Sequence, residues 1–136
     1  MSSKIHQILD VEKEKAGYEK ELETANTVQL TFFADTMVLV EPFFITSYYT
    51  PATQCGGDWW GRYTIKPGCE LVLIADATGH GVPAALITAM AYATTNIFAR
   101  LSQDPSVILD EINKLLYNCL EGQLCMTFFA AILDSN

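Results

Sequence analysis

Basic residues are scarce in this chain: eight Lys and Arg stand against sixteen Asp and Glu, for a formal net charge of -8. That balance argues against a nucleic-acid backbone as the main partner, because proteins that bind it concentrate Lys and Arg. The same field repels a phosphate group unless a bound cation reverses the local sign. Cysteine is sparse too. Cys55, Cys69, Cys119 and Cys125 form no C-x-x-C pair, and no His lies at ligand spacing from them, which argues against a zinc site. Isolated thiols of this kind fit a reducing cytosol, where they act as small apolar residues. No secretory leader is visible, since Met-Ser-Ser-Lys-Ile-His runs straight into a highly charged stretch.

Charge of either sign is low overall, at 18% of residues, while 50% are hydrophobic. In 136 residues this supports one domain with a real core and excludes disorder across the chain. One stretch, from Ala77 to Ala99, holds His80 but no Asp, Glu, Lys or Arg. A membrane span needs about 20 apolar residues. Here Thr78, Thr88, Thr94, Thr95, Asn96, Pro83 and two glycines interrupt the run, so a loop and a buried helix are expected rather than a span.

Residues 1–33 read as one helix. Ile8, Val11, Lys15, Tyr18, Leu22, Ala25, Gln29 and Phe32 follow alternating steps of three and four, a heptad seam interrupted by Lys15 and Gln29. Two roles remain open for it: a solvated helix with one face on the domain, or a coiled-coil linker that dimerises or relays a signal. Beyond Asp35 the period changes. Met37 to Val40 and Phe43 to Tyr49 are short, β-branched and aromatic, with Pro42 between them, and read as strands near an edge or bend. Asp58 to Ile65 and Glu70 to Ala75 are two further strands around the Lys66-Pro67-Gly68-Cys69 turn. The second, Leu-Val-Leu-Ile-Ala, is continuously apolar, which predicts burial on both faces. A helix is expected from Val82 to Leu101, then another capped by Asp104 with Pro105 at its first position. Glu121-Gly122 ends it, and Met126 to Leu133 is a last strand.

Chemistry concentrates at two points of this plan. Asp58 follows Gly56-Gly57, and Asp76 opens Asp-Ala-Thr-Gly-His-Gly. In an antiparallel hairpin the start of one strand lies beside the end of the other, so Asp58 and Asp76 should be spatial neighbours. Glycine lets a backbone approach an ion or phosphate closely, and paired carboxylates at strand ends suit hard, oxygen-seeking cations such as Mg²⁺ or Mn²⁺. The residues alone leave a second possibility open, a turn aspartate and a helix-cap aspartate. Gly-Gly-Asp alone also suggests a diguanylate cyclase, but Trp59-Trp60 stands where the acidic-aromatic pair is expected.

Joined together, the motifs resemble one family. P-A-T-Q-C-G-G-D-W-W-G, then a hairpin, then L-I-A-D-A-T-G-H-G-V-P-A-A-L-I-T-A is similar to the SpoIIE-type branch of the metal-dependent (PPM) serine/threonine protein phosphatases. E-L-E-T-A-N-T-V-Q-L resembles the helix that precedes that catalytic domain, and M-T-F-F-A-A-I-L-D one of its strands. The resemblance implies an α+β fold: an antiparallel sheet covered by two helices, part of an α-β-β-α sandwich, behind a linker helix. It divides the chain into a regulatory helix, 1–33, and the N-terminal portion of the phosphatase domain, 34–136. It implies that Asp58 and Asp76 ligate a binuclear Mn²⁺ or Mg²⁺ centre, with the Ala77 carbonyl as a further ligand. Together they would serve hydrolysis of phosphoserine or phosphothreonine on a cytoplasmic regulatory protein, such as an anti-sigma-factor antagonist. Departures are the aromatic pair Trp59-Trp60, expected to pack, and His80 in place of the usual Lys, expected to face solvent. Further metal aspartates of the family have no counterpart in Asp104, Asp110, Glu111, Glu121 or Asp134, so residues 1–136 alone are expected to be inactive. A sheet of this extent would expose an edge and favour a homodimer, with strand exchange as one route. The competing expectation is a non-catalytic interaction module.

Overall fold

A computed structural model describes residues 2–51 and 54–135. Ala52 and Thr53 of the P-A-T-Q-C-G-G-D run, and Met1 and Asn136, lie outside the described residues. The order of elements is α1 (Ser2–Leu30), β1 (Met37–Val40), β2 (Phe43–Thr46), β3 (Asp58–Lys66), β4 (Cys69–Ala77), α2 (Val82–Phe98), α3 (Pro105–Leu120) and β5 (Met126–Asp134). All strand pairings are antiparallel. β1 and β2 form a small ribbon of their own, while β3, β4 and β5 form a three-stranded sheet with β4 in the centre. The fold is α+β, as the family resemblance implied.

The sheet has two unlike faces because strand side chains alternate. Trp59, Leu71, Leu73, Ala75 and Ala77 point to one face and are buried with Ala84, Ile87 and Ala91 of α2 and Ile108, Ile112 and Leu116 of α3. Asp58, Trp60, Arg62 and Thr64 share the opposite face with Asp76, Ile74, Val72 and Glu70, their partners in register. Here the strand Leu-Val-Leu-Ile-Ala departs from its expected burial on both sides: Ile74 is 55% exposed, as is Phe129 beside it at 59%. The run of apolar residues reflects β4's central place in the sheet. Its outer face is only partly covered: Ile74 and Asp76 are exposed, Val72 is half-buried and Glu70 is buried. At the far end of that face Arg62 donates to Glu70 at 2.8 Å and Thr64 donates to the same carboxylate at 2.7 Å.

Local signals explain the ends of the elements. Gly68 takes φ 73° in the β3–β4 turn. Asp104 accepts a hydrogen bond from the Ser106 N–H at 2.8 Å and caps α3, a bond worth about 1 kcal/mol. Glu121 and Gly122 both adopt positive φ and stop that helix. The first helix ends at Leu30 rather than 33, with residues 31–33 continuing as a turn bonded back to Val28, Gln29 and Leu30. Its seam divides in two. Ile8, Val11 and Tyr18 are exposed, whereas Leu22 and Ala25 are half-buried and Gln29 is fully buried. None of the described helices is long and apolar enough to cross a membrane.

Candidate active site

The β3–β4 turn sets the register that brings the two aspartates together. Counting back from the turn, Lys66 faces Cys69, and after a bulge at Thr64–Lys66 the pairing runs cleanly to Asp58 opposite Asp76. The neighbouring Ala77 N–H donates to the Gly57 carbonyl at 3.0 Å, so the pair after it is of the kind whose side chains approach most closely. Both side chains stand on the outer face, open to solvent. The Asp58 carboxyl is held above the ordinary carboxylate range, first by partial burial, then by the charge of Asp76 and a hydrogen bond to it. Two like charges this close call for a proton or a cation between them.

The glycines serve different purposes. A Cβ on Gly57 would lie 2.6 Å from the Ala77 carbonyl oxygen, so only glycine lets β3 lie this close to the end of β4. Gly79 and Gly81, with φ of 90° and 71°, turn the chain from Asp76 into α2 through left-handed backbone. Thr78 pins that loop: its N–H and hydroxyl donate to the Cys125 carbonyl, and its hydroxyl accepts from the Cys125 N–H at 3.0 Å. Thr127, of the M-T-F-F strand, reaches the Asp76 carbonyl at 3.4 Å. Trp59 and Trp60 pack, at 1% and 9% exposure, and His80 faces solvent.

A hard divalent cation fits the donors gathered here: two facing carboxylates with the Ala77 carbonyl at the adjoining position, oxygen throughout. Among the described residues, no group of three or more His, Cys, Asp or Glu side chains gathers to hold a metal. The late acidic residues Asp104, Asp110, Glu111 and Glu121 belong to α3 and its caps, and Asp134 lies at the far end of β5 near Lys66.

Two residues near the site had no place in it assigned from the sequence. Tyr49 stacks on Phe33 with ring centroids 4.4 Å apart, and its phenol is raised above its usual range by burial and then by the charges of Asp58 and Cys55. Gln29 reaches the Gly-Gly segment from α1. Its sequence signals were a polar position on the heptad seam, like Lys15, and its place in the E-L-E-T-A-N-T-V-Q-L run that resembles the family's preceding helix. Beside Asp58, a cleft of about 500 Å³ opens between Phe33, Tyr48, Tyr49, Trp60 and Ile74.

The fold is that of a PP2C-type phosphatase domain. The SiaA-PP2C domain of Pseudomonas aeruginosa aligns with a TM-score of 0.72 over 90% of this chain and 51% of that one, at 23% identity, a likeness that speaks for the fold alone. Residues 66–136 match the Stage II sporulation protein E (SpoIIE) family, and the chain belongs to that family, the SpoIIE-type branch of the PPM phosphatases. Asp76 falls within the matched residues and Asp58 just before them. Two Bacillus subtilis (strain 168) proteins are similar. Phosphoserine phosphatase RsbU is 28% identical over 82% of this chain and 33% of its own length, and phosphoserine phosphatase RsbP 26% identical over 79% and 27%. The chain thus spans about a third of the curated relatives it matches.

Proposed function

We propose that the complete protein hydrolyses phosphoserine or phosphothreonine on a regulatory protein, with Asp58 and Asp76 as metal ligands. The observation that carries this reading is the register of β3 and β4, which sets Asp58 opposite Asp76 on an open face. Mn²⁺ or Mg²⁺, when bound, would neutralise phosphate charge and supply an ionised water for in-line attack. The chain's own part is positional. Asp58 and Asp76 would hold the cations, the Ala77 carbonyl would add a further oxygen ligand, and Gly57 keeps the two strand ends in contact. Trp59 anchors β3 below the site by donating from Nε1 to the Phe32 carbonyl at 2.9 Å. With only two carboxylates gathered among the described residues, residues 1–136 alone are inferred to bind metal weakly and to be inactive.

The names of the relatives support phosphoserine as the group hydrolysed, and a phosphorylated anti-sigma-factor antagonist in the cytoplasm is the partner proposed. Within this reading residues 1–33 are the regulatory helix and 34–136 the N-terminal portion of the catalytic domain. The last turn of the helix is seated in that domain through Gln29 and Phe32. The exposed stretch of the helix seam supports a homodimer, and a non-catalytic assembly role is the competing reading it favours.

Manganese-dependent release of phosphate from a phosphoserine peptide by the complete protein tests the proposal. Asp76→Asn should lower turnover by about a hundredfold or more, since even residues that merely support metal ligands cost about 10–100-fold. A complete protein with no phosphoesterase activity would hand the assignment to the assembly role.

A further inference from the structure

Backbone groups at the end of β4 alternate in direction, and the alternation decides what faces the aspartate pair. The Asp76 carbonyl turns toward β5, 3.4 Å from the Thr127 hydroxyl. The Ala77 N–H turns the other way and donates to the Gly57 carbonyl at 3.0 Å. The Thr78 N–H turns back to β5 and donates to the Cys125 carbonyl at 2.9 Å. In a trans peptide the carbonyl points opposite to the N–H. The Thr78 bond therefore aims the Ala77 carbonyl at the Gly57–Asp58 side, in agreement with the 2.6 Å between that oxygen and a Cβ placed on Gly57. Among the described residues no bond returns to it from the Gly57 N–H, so the oxygen is open to a ligand. β4 ends at Ala77, and Gly79 at φ 90° follows, so strand pairing does not hold this peptide from beyond. A side chain does. The Thr78 hydroxyl donates to the Cys125 carbonyl at 3.1 Å and accepts from the Cys125 N–H at 3.0 Å. All three bonds fall on the Cys125 backbone.

We propose that Thr78 is a positioning residue that latches the Ala77–Thr78 peptide to β5 and keeps the Ala77 carbonyl turned toward a divalent cation on the aspartate pair. The inference rests on the metal-ligand reading of Asp58, Asp76 and Ala77. An ordering cost falls on any cation that must first turn a free peptide, and a plane already fixed by hydrogen bonds avoids it. The hydroxyl is the working part: Val in place of Thr keeps the branched shape and removes two of the three bonds, whereas Ser keeps all three.

The test is calorimetric titration of the metal-free complete protein with MnCl₂, comparing Thr78→Val, Thr78→Ser, Cys125→Ser, Asp76→Asn and a remote core variant, Ile108→Val. Thr78→Val should bind Mn²⁺ about tenfold more weakly, as loss of a supporting hydrogen bond does at metal sites. Thr78→Ser should keep the wild-type affinity, and so should Cys125→Ser, because the latch uses only the backbone there. Ile108→Val should lower the thermal midpoint and leave the affinity unchanged, which separates positioning from general destabilisation. If Thr78→Val does not fold, Thr78→Ala removes the same two bonds and should show the same loss. Wild-type affinity in the folded variant overturns the inference and leaves the aspartate pair intact, as does an equal loss in Cys125→Ser. A wild-type protein that takes up no Mn²⁺, or whose uptake survives Asp76→Asn, overturns the ligand reading and this inference with it.

Discussion

At the scale of single residues, Asp58 is held in a place that disfavours its own charge. Partial burial and the facing Asp76 both raise its pKa above the 3.8 of an ordinary aspartate. The sign of the consequence follows from linkage. A carboxyl whose folded pKa lies above its unfolded value is at its most favourable below pH 3.8 and costs stability as pH rises through the folded value. In metal-free protein Asp58→Asn should therefore raise the thermal midpoint at pH 7. The gain should be roughly 1 kcal/mol or less, because water screens charges this exposed. It should shrink toward zero as the pH is lowered to 4. Mn²⁺ should reverse the order by stabilising the wild type more than the variant. Melting curves at both pH values, with and without MnCl₂, check this; a variant less stable than wild type without metal would contradict it. The aspartate pair was legible in the sequence because a short turn between two strands fixes which residues face one another. The contacts of Gln29 and Tyr49 were not, since they join segments far apart in the chain.

Among the elements, α1 joins two regimes. From Ile5 to Tyr18 its apolar residues are exposed, with Ile8 at 59%, Val11 at 63% and Tyr18 at 62%. From Leu22 onward the same seam descends into the domain, ending at Gln29 and at Phe32, which stacks on Tyr92 of α2 with centroids 4.8 Å apart. The heptad was visible in the sequence, but the pattern is the same whether the seam meets the domain or a second helix. Only the position of the domain separates the two halves. The exposed half presents apolar residues at the spacing a parallel or antiparallel partner helix would bury. The double variant Ile8→Glu/Val11→Glu should weaken self-association of the complete protein at least tenfold in sedimentation, leaving its thermal midpoint within about 2 °C. That small shift is expected because surface changes rarely move stability by more than about 0.5 kcal/mol. An unchanged association constant would place the dimer contact elsewhere. The hairpin, both domain helices and the caps of α3 were equally legible, because Asp104-Pro105, Gly68 and Glu121-Gly122 act through local backbone geometry, whereas α2 ends at Phe98 rather than the expected Leu101.

For the whole molecule the uneven sheet matters most. One face packs on α2 and α3, while the other carries the aspartate pair at one end, the Arg62–Glu70 ion pair toward the other, and the exposed Ile74 and Phe129 between. Ile74 and Phe129 are cross-strand partners, so their exposed surfaces form one patch rather than two isolated contacts. On the far side of β4 from β3, the outer edge of β5 pairs with no other strand among the described residues. A patch and an edge of this kind favour pairing between copies. Residues 1–136 expressed alone should accordingly self-associate in a way that the helix variants only partly suppress. Ile74→Lys/Phe129→Lys should lower the remaining association, because like charges directly opposite on a sheet repel each other and a partner layer would have to bury both. The substitutions leave the packed face untouched, so circular dichroism should keep the wild-type helix and strand signal. Sedimentation of the helix variant with and without this pair decides the matter. If the added lysines leave the association constant where it was, the open face takes no part in it, and the unpaired edge of β5 becomes the surface to mutate.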